Sequence, residues 1–264
     1  MSFLVNPYVY PTGCTDADAL AFLAATGITD ATISSAICTL VTTMKADGTW
    51  AKCNAIYPMV GGTATTQKFN LKNPLNSNLA FRLTFSGGWT HSANGALPNG
   101  VNTFANTFFN PLVNGSQNSH HLSYYSRTNS NLTEVETGVA SATTQGSLIE
   151  IRTSNITYFR INSGTTYITY ADTDSRGFYI SNRTASNVIN GWKNGVKVAT
   201  GTVASTALFN GNNYLGALNQ SGTASFISRK ECAFATIGTG FTDGEAAALY
   251  TSIQAFQTTL SRQV

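Results

Sequence analysis

Residues 15–60 repeat their apolar positions every three to four residues, and from about residue 63 the repeat changes to strict alternation. In the run ATISSAICTLVTTMKAD, Ile33, Ile37, Leu40, Val41 and Met44 fall at i, i+4, i+7, i+8 and i+11, which is one face of a helix. Asp30 or Thr29 caps that helix and Gly48 ends it. A shorter helix precedes it in DADALAFLAAT, opened by Thr15 with Asp18 three residues on and stopped by Gly27. TWAKCNAIYPMVGG reads as a further short helix, broken at Pro58 and released by Gly61-Gly62.

The alternating region predicts strands at 81–85, 121–126, 147–152, 156–161, 167–171, 177–183, 197–202 and 224–235. Between them stand turn dipeptides such as Asn94-Gly95, Asn194-Gly195 and Ser221-Gly222. NGWKNGVKVATG has the form of a tight hairpin, with Asn194-Gly195 suited to a type I′ turn. Thr242-Asp-Gly-Glu245 then opens a last helix with a capping box and an apolar stripe of Ala246, Leu249, Tyr250, Ile253, Phe256 and Leu260. The expected fold is mainly β: an antiparallel β-sandwich of jelly-roll, concanavalin A-like form, with an N-terminal helical pair and a C-terminal helix. Its limits are an extended arm at 1–14, a small helical region at 15–62, and a sandwich at 63–264 closed by a helix at 243–262.

Composition narrows what such a sandwich does. Only 10% of the 264 residues are charged, against roughly 25% in an ordinary soluble domain. Thr, Ser, Asn and Gly stand in their place, a surface that tolerates close packing of copies because few charges need desolvation at each contact. A homo-oligomer is expected on this ground. The net charge of +3 is spread along the chain with Arg229-Lys230 as the one adjacent basic pair, so no stripe suits nucleic acid. No apolar run approaches the ~18 residues that span a bilayer, and Met1 to Tyr10 lack the pattern of a signal peptide. The arm carries Phe3, Leu4, Val5, Tyr8 and Tyr10 and is expected to dock on a neighbouring subunit or partner. Cys14, Cys38, Cys53 and Cys232 are irregularly spaced without CxxC and read as buried free thiols.

Candidate chemistry is sparse. His120 and His121 are neighbours, so on a strand they point to opposite faces and cannot share a metal; His91 lies in a loop-like stretch. Glu134-Val-Glu136 is the nearest approach to a glycosidase acid pair, but it lacks a third acid and has loop residues beside it. No catalytic set and no cofactor site is expected. Asp172 and Asp174 are the best calcium candidates, with hard oxygens at i and i+2 on a loop; an Asx-turn balanced by Arg176 is the alternative. Among the aromatics Trp89, Tyr124, Tyr125, Tyr167, Tyr170, Tyr179, Trp192 and Tyr214, the candidates for stacking on a sugar ring are Trp89, Tyr124, Trp192 and Tyr214.

The stretches GFYISNRTASNVINGWKNGVKVA, NNYLGALN and CAFATIGTGFTDGEAAALYTSIQAFQTTLSRQV resemble the concanavalin A-like (laminin-G-like) jelly rolls of tailed-bacteriophage virion proteins. AIYPMVGGTATTQKFNLKNPLNSNLAFRLTFSGGWTHSANG is similar to the portion that precedes the jelly roll in the same proteins. The resemblance implies a structural part of a virion: a tail or head fibre, a collar or baseplate part, or a capsid decoration. Its implied partners are other virion proteins, its location is the virion, and no catalytic residue carries over. A carbohydrate-binding module for host-surface glycan is the alternative, and a glycoside hydrolase the second alternative.

Overall fold

A computed structural model describes residues 13–141 and 144–264. The arm residues Phe3, Leu4, Val5, Tyr8 and Tyr10 lie outside the described residues. The described residues form six α-helices: α1 (Ala17–Thr26), α2 (Ala31–Ala46), α3 (Thr49–Lys52), α4 (Ala64–Gln67), α5 (Pro111–Asn114) and α6 (Asp243–Thr259). The first strands are β1 (Cys53–Tyr57), β2 (Thr84–Ser86), β3 (Thr90–Ser92), β4 (Gly95–Leu97), β5 (Phe104–Asn106) and β6 (His120–Ser126). Then come β7 (Thr137–Ala140), β8 (Gly146–Thr153), β9 (Ile156–Ser163), β10 (Ile168–Ala171), β11 (Gly177–Ala185) and β12 (Val188–Lys193). The last are β13 (Val196–Thr202), β14 (Tyr214–Leu215), β15 (Leu218–Gln220), β16 (Thr223–Ser225) and β17 (Cys232–Gly238).

These strands form two sheets packed face to face, as the alternation predicts. One runs β13-β12-β11-β6-β17-β4-β3, with β1 also on β17; the other runs β10-β9-β8-β7-β14-β5-β2, with the β15–β16 hairpin beside β7. Between them Leu122, Tyr124, Ile149, Phe159, Ile161, Tyr179 and Ile237 form a fully buried core. The first sheet buries its other face as well: Tyr125, Phe178, Ile180, Trp192 and Phe234 pack beneath Phe22, Val41, Met44, Ile253 and Phe256 of α1, α2 and α6. Among the described residues no helical layer lies over the outer face of the second sheet.

Local chemistry explains most boundaries. Gly27 takes φ 67° and ends α1, while Asp30 caps α2 by accepting from the Ile33 amide. Asp16, not Thr15, caps α1; its carboxylate accepts from the Asp18 and Ala19 amides, two donors that a threonine hydroxyl serves less well. Thr242 and Glu245 form the expected capping box of α6. Asn194 and Gly195 both take positive φ, 50° and 75°, between β12 and β13, as a type I′ turn demands.

Three of the expected elements take another form, and short elements such as β3, β4, β5 and β7 are not among those expected. Cys53–Tyr57 is a strand rather than the tail of a helix, because it pairs along β17 and buries Ala55, Ile56 and Tyr57. The expected strand at 81–85 shrinks to Thr84–Ser86, since Phe81 takes φ 57° to end a 3-10 turn. The expected strand at 224–235 splits into β16 and β17, with the buried Lys230 between them.

The cysteines also need correction. Cys14 and Cys38 form a disulfide that ties the chain ahead of α1 to α2, while Cys53 and Cys232 remain buried thiols. Burial pushes both thiols up to about 12, so neither is a ready nucleophile at neutral pH.

Candidate binding face

The acidic pair before β7 is bonded within the fold. Glu134 and Glu136 are 1% and 0% exposed and share the ammonium of Lys230, 3.1 Å from each. Arg229 Nη1 donates to Glu134 Oε1 at 2.7 Å, and the Arg229 amide donates to Oε2. Glu136 Oε2 accepts from the Ile151 amide at 2.6 Å, and its Oε1 accepts from the Ser228 hydroxyl. Burial pushes Glu136 up to about 7 against the pull of Lys230. Burial alone works against the Lys230 charge, but the two glutamates more than offset it and hold its pKa above the usual value. All four carboxylate oxygens of the pair are thus bonded within the fold.

The calcium candidates are filled in the same manner. Asp172 is 1% exposed; Lys193 Nζ lies 2.6 Å from its Oδ1, and Oδ2 accepts from the Tyr179 and Thr157 hydroxyls. Asp174 pairs with Arg176 at 2.7 Å, and that hydrogen bond pulls its carboxyl down to about 2. The Lys193 ammonium also bonds the Asp174 carbonyl oxygen, so a lysine sits where the two oxygens converge. Lys193 and Arg176 supply the positive charge beside these carboxylates, and the Asp174 amide donates to Asp172 Oδ1 as in an Asx-turn. Among the described residues no group of three or more His, Cys, Asp or Glu side chains is arranged to hold a metal.

The histidines serve packing. His120 and His121 do point to opposite faces: His120 Nδ1 meets Asn162 Oδ1 inside the sandwich at 3.1 Å, and His121 lies against Phe241 on the helix side. Burial lowers His120 to about 4 and His121 to about 3, so both are neutral near pH 7. His91 stands on β3, where its Nδ1 pairs with Gln67 Oε1 at 2.5 Å and its ring meets Phe85.

Of the four stacking candidates, two are deep in the core. Tyr124 is fully buried between the sheets and donates its hydroxyl to the Lys230 carbonyl; Trp192 is 4% exposed beneath the helices. Both sit on strands whose two faces are covered, so neither ring can meet a ligand. Trp89 is half-buried over Gly216, where a Cβ would come within 2.4 Å of its ring, and its Nε1 donates to the Ser86 carbonyl. Tyr214 stacks on Phe104 with centroids 4.6 Å apart and is nearly buried. The four do not converge on one surface.

The aromatics that do share an open surface lie on β9 and just before β10. Phe159 and Ile161 of β9 point into the core, so Tyr158 and Arg160 point out. Tyr158 faces Glu150 of β8 on one side and Thr169 of β10 on the other. Tyr167 meets Tyr158 edge-to-face at 5.7 Å, and the Arg160 guanidinium lies 5.6 Å from the Tyr167 ring. Arg160 is fixed by two bonds to the Ser163 carbonyl. Glu150 is partly buried, and burial raises its pKa. Two partly exposed rings and a carboxyl thus stand side by side on the sheet, while Arg160 is buried, at 4% exposure. Tyr167 is in the sequence list of aromatics, but Tyr158 is not. The alternation in ITYFRIN carried the missing signal, because it separates outward Tyr158 and Arg160 from inward Phe159 and Ile161.

No family model matches the chain, and no curated protein matches it. Among solved structures, domain 4 of AbnA, a GH43 extracellular arabinanase from Geobacillus stearothermophilus in complex with arabinotriose, is similar at 17% identity and TM-score 0.48. That match covers 75% of this chain and 98% of that one. The Ruminococcus gnavus IT-sialidase CBM40 is similar at 13% identity and TM-score 0.37, over 50% of this chain and 83% of that one. Mouse laminin alpha1 chain, domains LG4-5, is similar at 17% identity and TM-score 0.33, over 46% and 35%.

Proposed function

We propose that this chain is a non-catalytic β-sandwich module that binds carbohydrate on the open face of its second sheet. The observation that carries the reading is the Tyr158–Tyr167 pair, partly exposed rings beside Glu150, with the buried Arg160 guanidinium supporting the Tyr167 ring from within. Sugar rings present C–H faces that stack on such aromatics and hydroxyls that meet charged side chains. The bonded state of Glu134 and Glu136 supports a role without hydrolysis. A screen of neutral and acidic oligosaccharides, followed by titration calorimetry, tests the proposal. Tyr158→Ala and Tyr167→Ala are each expected to weaken binding at least tenfold, about 1.4 kcal/mol. No binding across the screen, or unchanged affinity in both variants, sinks it. Release of reducing sugar by the purified protein sinks the non-catalytic part.

A second reading, a structural component of a bacteriophage virion, has its own support. Ala21, Ala24 and Ala25 of α1, with Ser35, Thr39 and Thr42 of α2, are exposed, small and uncharged where solvated helices usually carry charge. The disulfide suits the oxidising surroundings of a released particle. The two readings are compatible, because a virion part can itself bind host glycan. Mass spectrometry of purified particles that fails to find the chain removes the second reading and leaves the first standing.

A further inference from the structure

The corner between α4 and β2 holds two cations without an acid. From Gly48 to Thr133 the sequence contains no aspartate or glutamate, and Lys68 and Arg82 fall inside that stretch. Lys68 ends α4, which Thr63 opens with a capping box, and the Lys68 carbonyl accepts from the Leu83 amide at 2.7 Å. That backbone bond sets Lys68 beside Arg82. Both line one pocket of about 220 Å³, together with Thr65, Leu83, Thr84 and Phe85. Among the described residues neither cation has a carboxylate within ion-pair reach, whereas Lys45, Lys52, Arg127, Lys193, Lys197 and Arg229 each have one.

Arg82 is held in place without being neutralised. Its Nε and Nη1 donate to the side-chain oxygens of Asn78 and Asn76 at 3.2 and 3.4 Å, and these bonds leave Nη2 unbonded. Thr84 adds a third open group, because its Oγ1 is buried and has no hydrogen-bond partner. A buried hydroxyl left unpaired carries a desolvation cost that a ligand oxygen would remove.

We propose that this pocket binds one oxyanion group: a phosphate, sulfate or carboxylate. The planar Arg82 fork suits the oxygens of such a group, Lys68 adds a second positive charge, and the Thr84 hydroxyl gains the acceptor it lacks. The pocket lies at the β2 end of the second sheet, while Tyr158 and Tyr167 lie at its β9–β10 end. The inference therefore does not depend on the carbohydrate reading.

Titration calorimetry of the full chain at low ionic strength tests it. The probes are inorganic phosphate, inorganic sulfate, glucose 6-phosphate, glucuronate and uncharged glucose. An anionic probe should bind, and Lys68→Gln and Arg82→Gln, at half-buried positions, should each weaken that binding about tenfold. Lys197→Gln removes the same charge from β13 and should stay within about twofold, as should Tyr158→Ala. Matched thermal unfolding confirms that each variant is folded, and either pocket variant alone suffices. Tighter binding of glucose 6-phosphate than of free phosphate supports a carried group, and equal binding supports the free ion; both uphold the site. No binding of any anionic probe overturns the proposal. So does unchanged affinity in both pocket variants, or an equal loss in Lys197→Gln, which would reduce the effect to net charge.

Discussion

The two sheets use the same residue types for opposite ends. On the helix-covered sheet Tyr125, Phe178, Trp192 and Phe234 lie between strand and helix, and each loses its exposed face to packing. On the other sheet Tyr158 and Tyr167 keep part of a face toward solvent, because among the described residues no helix lies over β8, β9 and β10. An aromatic residue on a strand therefore says little about ligands until the cover on that face is known. The difference lies in what is stacked above the sheet, set by distant helices rather than by the strand's own residues.

That contrast can be broken by mutation. Trp192→Ala should destabilise the fold by about 3–5 kcal/mol, as for a large aromatic deleted from a core, whereas Tyr167→Ala should stay within about 0.5 kcal/mol. Denaturant midpoints compare the two; equal losses would mean that the second sheet is covered too.

The seam between the sheets offers a sharper test. Lys230→Ala leaves Glu134 and Glu136 buried without their ammonium and should cost about 3 kcal/mol at pH 8. The cost should shrink as the pH falls, since Glu136, with its carboxyl pushed up to about 7, then takes up a proton. The folded state holds that proton below about 7 while the unfolded chain holds it only near 4.5, so this group adds stability as pH falls through that window. Urea titrations at several pH values read the slope. A pH-independent loss would show that Glu136 stays charged.

An effect confined to acid pH, and absent at neutrality, belongs to His121 under the helices. Its pKa, lowered to about 3 from 6.5, means that the unfolded chain protonates first, so stability falls as pH drops from 6.5 toward 3. His121→Gln should remove about 1.4 kcal/mol per pH unit from that slope. An unchanged slope would mean that the ring is open to solvent.

Much of the architecture was legible because local signals agreed with global packing. The i, i+4, i+7 stripe of α2, the capping box of α6 and the Asn194-Gly195 turn each work through residues close in sequence. What escaped depends on distant partners. Cys53–Tyr57 resembles a helix end until β17 supplies its pairing, and Cys14 resembles a free thiol until α2 brings Cys38 within 5.8 Å between Cα atoms. The Tyr158–Tyr167 face was only half visible for a related reason. Tyr167 stood out as an aromatic near a loop, while the outward direction of Tyr158 follows from alternation read against the core. Tyr124 and Trp192 misled because type alone gives no direction.

The placement of β17 also has a kinetic side. It lies inside its sheet, bonded to β6 on one flank and to β1 and β4 on the other, yet it is the last strand in the chain. Until it inserts, β6 and β1 both present unpaired edges. Closing the Cys53–Gly238 pairing spans most of the chain, and contacts so distant slow the search for the native topology. Refolding should therefore be slow and sensitive to concentration, with open edges that invite pairing between chains before the sandwich closes.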